Sequence, residues 1–254
     1  MSADKATRAS QLTGEACSVE DTEEMRLLRR RDDAQSLLSL GTLLAGQYRF
    51  REAEAAFCAA MRQKADDPGL WLRVAGSRLT LFSFDGAKEA YERAVACGMD
   101  EKAVAYPMGV LHYLRGENDT AARWFEKCLP CDDETAAAVI YWHTLCRARE
   151  GKTVELCGRH RELKDVGHHV SYLCAVRLFD GEIPPGTVEE ALCAFNDLDF
   201  SIAAYGYAVW LREKGDAQKS AALLREIAGR ESVWPCVSAL AAYLDARRET
   251  RGEA

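Results

Sequence analysis

The sequence predicts an all-α protein built from repeated pairs of helices. Two observations support this fold class. A pattern of small and aromatic residues recurs with a constant period, and the composition favours helices, since only six prolines occur among 254 residues. Hydrophobic residues make up 48% of the chain and charged residues 29%, which is typical of a folded globular protein and excludes general disorder.

The recurring pattern is a small residue, an aromatic residue four positions later and a small residue three positions after that. Its occurrences, 34 residues apart, are Ala53, Phe57 and Ala60, then Ala87, Tyr91 and Ala94, then Ala121, Phe125 and Cys128. Another small residue precedes each occurrence by 12 positions, at Gly41, Ala75 and Gly109. Small residues allow the two helices of a hairpin to approach, and the aromatic ring fills the space between neighbouring hairpins.

The period and the residue pattern resemble those of the tetratricopeptide repeat (TPR). This resemblance implies a right-handed superhelix, or α-solenoid, of helical hairpins that ends in a C-terminal capping helix. We expect three regions along the chain. They are a flexible acidic leader at 1–24, a leading helix with three regular TPR repeats at 25–130, and degenerate TPR-like hairpins with the capping helix at 131–250.

The second half of the chain shows a further resemblance. An aromatic helix at 139–145 is followed by a short segment at 172–184, a hairpin at 200–228 and a terminal helix. This order is similar to that of NlpI-like TPR adaptors, which use their repeats to dimerise and to dock other proteins. The first thirty residues contain no apolar signal segment, so the envelope location of those adaptors is not expected and we predict a cytoplasmic protein.

In TPR proteins helix A of each repeat lines the concave groove, so the resemblance implies which residues contact a partner. We predict a non-catalytic adaptor or scaffold that binds a peptide or protein partner in this groove. The predicted partner-binding residues are Leu72, Arg73, Leu79, Tyr106, Val110 and Tyr113. Apolar positions with two tyrosines suit an extended or helical peptide. The alternative is that some of these side chains pack against the chain's own N- or C-terminal segment.

Other families of TPR proteins suggest two further modes of groove binding. Residues 25–130 resemble class II chaperones of type III secretion, so a chaperone for a client protein is an alternative function. Co-chaperones that bind Hsp70 or Hsp90 tails instead use several basic and asparagine side chains. The matching positions here are Leu38, Thr42, Arg73, Ala103 and Pro107. Only Arg73 is basic, so we do not expect binding of those tails.

Cysteine and histidine residues suggest a metal- or redox-responsive regulator as a further alternative. Cys128 and Cys131 form a CxxC motif, and Cys157 and His160 follow at a spacing that could complete a zinc site. Cys128, however, occupies a small-residue position of the third repeat and should point into its hairpin. We therefore predict no metal and no cofactor, and interpret most of the ten cysteines as reduced core thiols.

The remaining function classes are disfavoured by charge and by motifs. The formal net charge of −7 argues against a nucleic-acid partner, and no apolar run is long enough for a membrane span. No nucleotide-binding, metalloprotease or serine-hydrolase motif is present, so we predict no enzyme and no catalytic residue. Tyr205, Tyr207 and Trp210 raise the hypothesis of a homo-oligomer formed through the C-terminal hairpins.

Overall fold

The computed structural model describes residues 5–15 and 17–251. This part of the chain consists of helices and turns and contains no β-strand, which confirms the all-α fold class. The helices are α1 (Arg8–Thr13), α2 (Glu23–Leu28), α3 (Ala34–Gly46), α4 (Phe50–Met61), α5 (Pro68–Thr80), α6 (Phe84–Ala96), α7 (Glu101–Arg115), α8 (Asn118–Lys127), α9 (Asp133–Arg149), η1 (a 3-10 helix, Cys157–Glu162), α10 (Val170–Phe179), α11 (Pro185–Ala194), α12 (Asp197–Glu213), α13 (Ala217–Ala228), η2 (a 3-10 helix, Glu231–Val233) and α14 (Val237–Arg251). None of the helices in these residues is both long and apolar enough to cross a membrane.

The helices form two compact units that divide within α7. The first unit extends to Pro107 and the second begins at Met108. The division falls within the third predicted repeat, and the predicted end of the regular repeats near residue 130 stays a prediction. The division lies there because the last turns of α7 pack with helices from the end of the chain, as Tyr113 does with Tyr205.

The first unit is built from helical hairpins. α3 packs on α4, α4 on α5, and α5 on α6. In the turn between the two helices of each hairpin one residue adopts a left-handed conformation: Tyr48 (φ 61°) and Phe82 (φ 59°), followed by Gly116 (φ 83°) in the second unit. These positions are again 34 residues apart in the sequence. The backbone therefore repeats with the period that the side chains predict.

Small residues in helix A allow the close packing that the pattern predicts. A Cβ atom at Gly41 would lie under 3.0 Å from three atoms of the Phe57 ring, and one at Gly109 would meet the Phe125 ring in the same way. Both rings are buried. A side chain at either glycine would displace the aromatic ring that fills the hairpin.

Aspartate side chains cap the N-termini of α3 and α5. Asp33 precedes α3 and accepts a hydrogen bond from the Ser36 amide at 2.9 Å. Asp67 precedes α5 and accepts from the Gly69 amide at 2.8 Å, with Pro68 as the first helical residue. Both arrangements satisfy amides that the helix itself leaves without a partner.

The N-terminal segment, predicted as a flexible leader, packs on the first hairpin instead. Residues 1–4 and 16 of this segment lie outside the described residues. The Gln11 side chain is only 3% exposed and accepts from the Arg51 amide, and the Arg51 side chain donates to the Leu12 carbonyl at 2.9 Å. Asp21 pairs with Arg49 at 2.6 Å. These contacts attach the segment to the first hairpin, and Asp21 is the acid of the stretch that an arginine of that hairpin neutralises.

The core of the second unit is formed by two helices that are buried on every side. All residues from 136 to 146 in α9 and from 200 to 209 in α12 are buried. α8, α10 and α12 pack on α9, and α13 and α14 pack on α12. A helix that is buried on every side must be covered by several other helices.

Two further elements of this unit are short. Cys157–Glu162 forms only the 3-10 helix η1. α11 begins at Pro185, and Thr187 lies in its first turn. Proline is favoured at that position because the first helical residue needs no amide donor.

Candidate functional site

The helix-A face of the first unit is formed by α3 and α5. On this face Leu38 and Leu72 are half-buried, whereas Thr42 and Arg73 are exposed. The Arg73 Nη1 lies 3.5 Å from the Thr42 hydroxyl and its guanidinium carbon 5.9 Å from the centre of the Phe57 ring. Within the described residues Arg73 has no carboxylate partner. The face therefore combines partly exposed apolar side chains with one cation that no acid compensates.

The other two predicted residues of the first unit differ in exposure. Tyr106, near the end of this unit, is half-buried. Leu79 is buried, so its side chain contributes to the interior of the unit and not to a surface that a partner could contact. Leu72, Arg73 and Tyr106 remain predicted contact residues.

In the second unit the prediction of accessible groove residues is wrong for Val110 and Tyr113. Each side chain is only 1% exposed. The Tyr113 ring packs edge-on against Trp142 with ring centres 5.0 Å apart, and its hydroxyl lies 3.0 Å from that of Tyr205. The chain's own α9 and α12 thus occupy the space next to Tyr113, as in the alternative in which these side chains pack internally.

A buried polar network joins α9, α12 and α14. Arg149 pairs with Asp245, which is only 4% exposed. The Tyr205 hydroxyl donates to Asp245 at 2.9 Å and accepts from Arg149 at 2.7 Å, so Tyr113 donates to Tyr205. Arg248 adds a contact to Asp245 at 3.1 Å and donates to the Leu114 carbonyl. The network fastens α14 to the rest of the unit.

Electrostatics favour the ionised pair in this network. Burial alone would raise the pKa of Asp245, but the positive charge and hydrogen bonds of Arg149 outweigh burial and lower that pKa below its usual range. The pKa of Arg149 is held well above its usual value by Asp245, against the effect of burial. Sequence analysis missed both residues. The apolar run at 136–142 in α9 was the available signal, because such a helix must be covered by other segments.

The aromatic residues predicted to mediate self-association are mostly internal. Tyr205 and Tyr207 are buried, and Trp210, which stacks on Tyr207 with ring centres 6.0 Å apart, is half-buried. Neither tyrosine is available to a second copy. Self-association through the C-terminal hairpins stays a prediction that would have to use other residues.

The structure does not bring the four proposed zinc ligands together. The Cys128 thiol donates to the Trp124 carbonyl and the Cys157 thiol to the Val176 carbonyl. Burial raises the pKa of each of these thiols to about 11, so both are protonated and poor metal ligands. The set of metal-binding types that does converge in the described residues, His160, Asp180 and Glu182, contains no cysteine.

The two carboxylates of this set already have basic partners. Asp180 pairs with Arg161, and Glu182 pairs with both Arg177 and His160. We interpret the cluster as an ion-pair network that connects η1 with the turn after α10.

The chain was compared with protein families, curated proteins and solved structures. Neither a protein-family model nor a curated protein matches this chain. Among solved structures, the chain is similar to YrrB, described as a TPR protein with an unusual peptide-binding site. The match has 16% sequence identity and a TM-score of 0.46, and it covers 87% of this chain and 98% of that chain. A likeness at this level concerns the fold alone.

Proposed function

We propose that the protein is a non-catalytic interaction module, an adaptor or scaffold, that binds a peptide segment of a partner protein on the helix-A face of its first unit. The observation that supports this proposal is the surface that helix-A positions keep in the first unit. Leu38, Leu72 and Arg73 keep exposed surface on α3 and α5. At one position of the 34-residue register Thr42 is exposed and Gly76 is half-buried, whereas Val110 of α7 is buried. Among these helix-A positions, those of the first unit keep surface that a bound peptide could contact.

The chemistry of the face indicates the kind of peptide. Leu38 and Leu72 offer apolar surface, and burying it against a partner is favourable. Arg73 is an exposed cation without an acid beside it in the described part of the chain. A planar guanidinium binds a carboxylate through two parallel hydrogen bonds. The matching ligand is a segment with apolar side chains and an aspartate, a glutamate or a C-terminal carboxylate.

We also propose that the protein works in a reducing compartment, the cytoplasm being the expected one. The thiols of Cys146 and Cys157 are buried within the second unit. Burial holds the pKa of each thiol above its usual range, which suits small core side chains rather than reactive groups.

Peptide selection provides the test. Peptides would be selected from a random displayed library on the full chain, and their Kd measured by fluorescence anisotropy. Arg73→Glu and Leu72→Asp should each weaken binding by about tenfold or more, because they replace the cation or the apolar contact with a negative charge. Arg62→Glu, the same charge change at an exposed position at the end of α4, is the matched control.

Circular dichroism melting of each variant would show whether folding is intact. Selected peptides that bind the two face variants as tightly as the wild type would place binding elsewhere and overturn this proposal.

A further inference from the structure

A recess of about 660 Å³ lies within the second unit, between α11 and α13. α12 forms its floor through Phe200 and Tyr207, which are two turns apart on the same helix. Leu192 of α11 and Leu223 of α13 form its side walls. Its volume is in the range of pockets that enclose drug-sized ligands. The proposed peptide-binding face belongs to the other unit, so this recess is a separate site.

Ion pairs line both ends of the recess. At the Tyr207 end, Glu189 of α11 pairs with Lys219 of α13, and the Tyr207 hydroxyl donates to Glu189 at 2.5 Å. The ion pair between Glu189 and Lys219 therefore connects the two walls of the recess. At the Phe200 end, the Arg230 guanidinium lies over the Phe200 ring at 3.7 Å.

Arg230 also pairs with two carboxylates, Asp197 at 2.5 Å and Glu226 at 2.9 Å. The basic groups at both ends of the recess therefore already have acidic partners. A charged ligand would have to displace one of these pairs, and each group so displaced would lose hydrogen bonds as well as charge neutralisation.

We propose that this recess binds a small, uncharged, apolar molecule. Leu192, Phe195 and Leu223 are half-buried and keep apolar surface at the recess, whereas the Phe200 ring is already covered by Arg230. Because ion pairs close both ends of the recess, they limit the length of the ligand. A compact molecule therefore fits better than a peptide that would extend beyond the two ends. The aromatic ring of Phe195 makes a flat or ring-containing molecule the best fit.

Cys193 provides a reporter within the site. It lies on α11, lines the recess and is exposed. Its thiol donates a hydrogen bond to the Glu189 carbonyl at 3.4 Å. A ligand in the recess would cover this thiol and slow its reaction with a soluble alkylating reagent.

The experiment uses the full chain and N-phenyl-1-naphthylamine, a neutral apolar probe whose fluorescence increases in apolar surroundings. We expect saturable binding, and at saturation the alkylation of Cys193 by N-ethylmaleimide, followed by peptide mass spectrometry, should slow by about threefold or more. Alkylation of Cys97, a half-exposed thiol of the first unit, should be unchanged.

Two variants test the location. Leu223→Lys introduces a charge into the wall and should weaken probe binding by about tenfold. Cys193→Trp fills the recess from an exposed position and should do the same without disturbing the core. Gln218→Lys, an exposed position of α13 outside the recess, is the matched control for the lysine substitution.

Three results would overturn the proposal. They are the absence of saturable binding, binding that neither variant weakens, and protection of Cys193 by the anionic dodecanoate or by an apolar peptide but not by the neutral probe. The last result would identify a charged ligand or a protein partner as the occupant instead.

Discussion

In the turn between the two helices of each hairpin, one backbone position must be left-handed, and the chain fills this position in different ways. The third repeat has Gly116, which adopts a positive φ without steric cost, whereas the first two have Tyr48 and Phe82. For an aromatic residue this conformation costs about 1 kcal/mol. Their rings pack on Phe50 and Phe84 at the start of the next helix, which offsets the cost.

Gly41 should tolerate no larger residue. Gly41→Ala would place a Cβ atom against the Phe57 ring and should lower the free energy of unfolding by about 1–3 kcal/mol. Urea unfolding followed by circular dichroism measures this change. Gly46→Ala, in the last turn of the same helix and with no atom within 4 Å of the new Cβ, is the control and should be neutral or slightly stabilising. Equal effects of the two variants would show that Phe57 does not pack as described.

At the scale of elements, the stability of the second unit depends on the contacts that hold α14 against α9 and α12. Its polar anchor is Asp245, which receives hydrogen bonds from Arg149, Tyr205 and Arg248. These donors belong to α9, α12 and α14, three elements far apart in the sequence. A terminal helix held in this way covers the apolar surface that α12 and α13 would otherwise expose.

Removing the carboxylate of this anchor should be costly. Asp245→Ala leaves the Arg149 charge buried without its partner, so the free energy of unfolding should fall by about 3–5 kcal/mol. Glu213→Ala, an exposed acid near the end of α12, should change it by less than about 0.5 kcal/mol. Hydrogen exchange of α14 would show whether the loss is local to that helix. A loss below about 1 kcal/mol for Asp245→Ala would mean that the network does not hold α14.

At the scale of the whole molecule, carboxylates with lowered pKa values occur in both units. In the first unit Arg29 and Arg49 lower the pKa of Asp21. In the second unit Arg149 lowers the pKa of Asp245, against the effect of burial. A carboxylate whose folded-state pKa lies below its unfolded-state value stabilises the fold above the unfolded pKa, and this contribution is lost as the pH falls through the folded pKa.

The stability of the folded protein should therefore decrease at acidic pH. We expect the Tm from circular dichroism to change little between about pH 7 and 5 and to fall below about pH 4, where carboxylates of the unfolded chain take up protons. Asp245→Asn, which cannot ionise, should have a lower Tm at pH 7 and a weaker dependence on acid. A Tm that rises as the pH falls would contradict the direction of these pKa shifts.

The repeat architecture of this protein was determined by the sequence itself. The Gly41 and Phe57 pair, its equivalent at Gly109 and Phe125, and the turns 34 residues apart all depend on contacts between neighbouring segments. Local spacing therefore contains the information, and the hairpins could be predicted from it.

The accessibility of the predicted binding residues was decided by the tertiary structure. Val110 is buried although Thr42 and Gly76, at the same position of the 34-residue register, keep exposed surface. Close by on α7, Tyr113 packs against Tyr205, which lies 92 residues further along the chain. The Arg149 and Asp245 pair likewise joins residues 96 positions apart. A repeat pattern describes how each hairpin packs on the next one and contains no information about a distant segment that folds back. Burial at such positions depends on these long-range contacts, and only the folded chain brings them together.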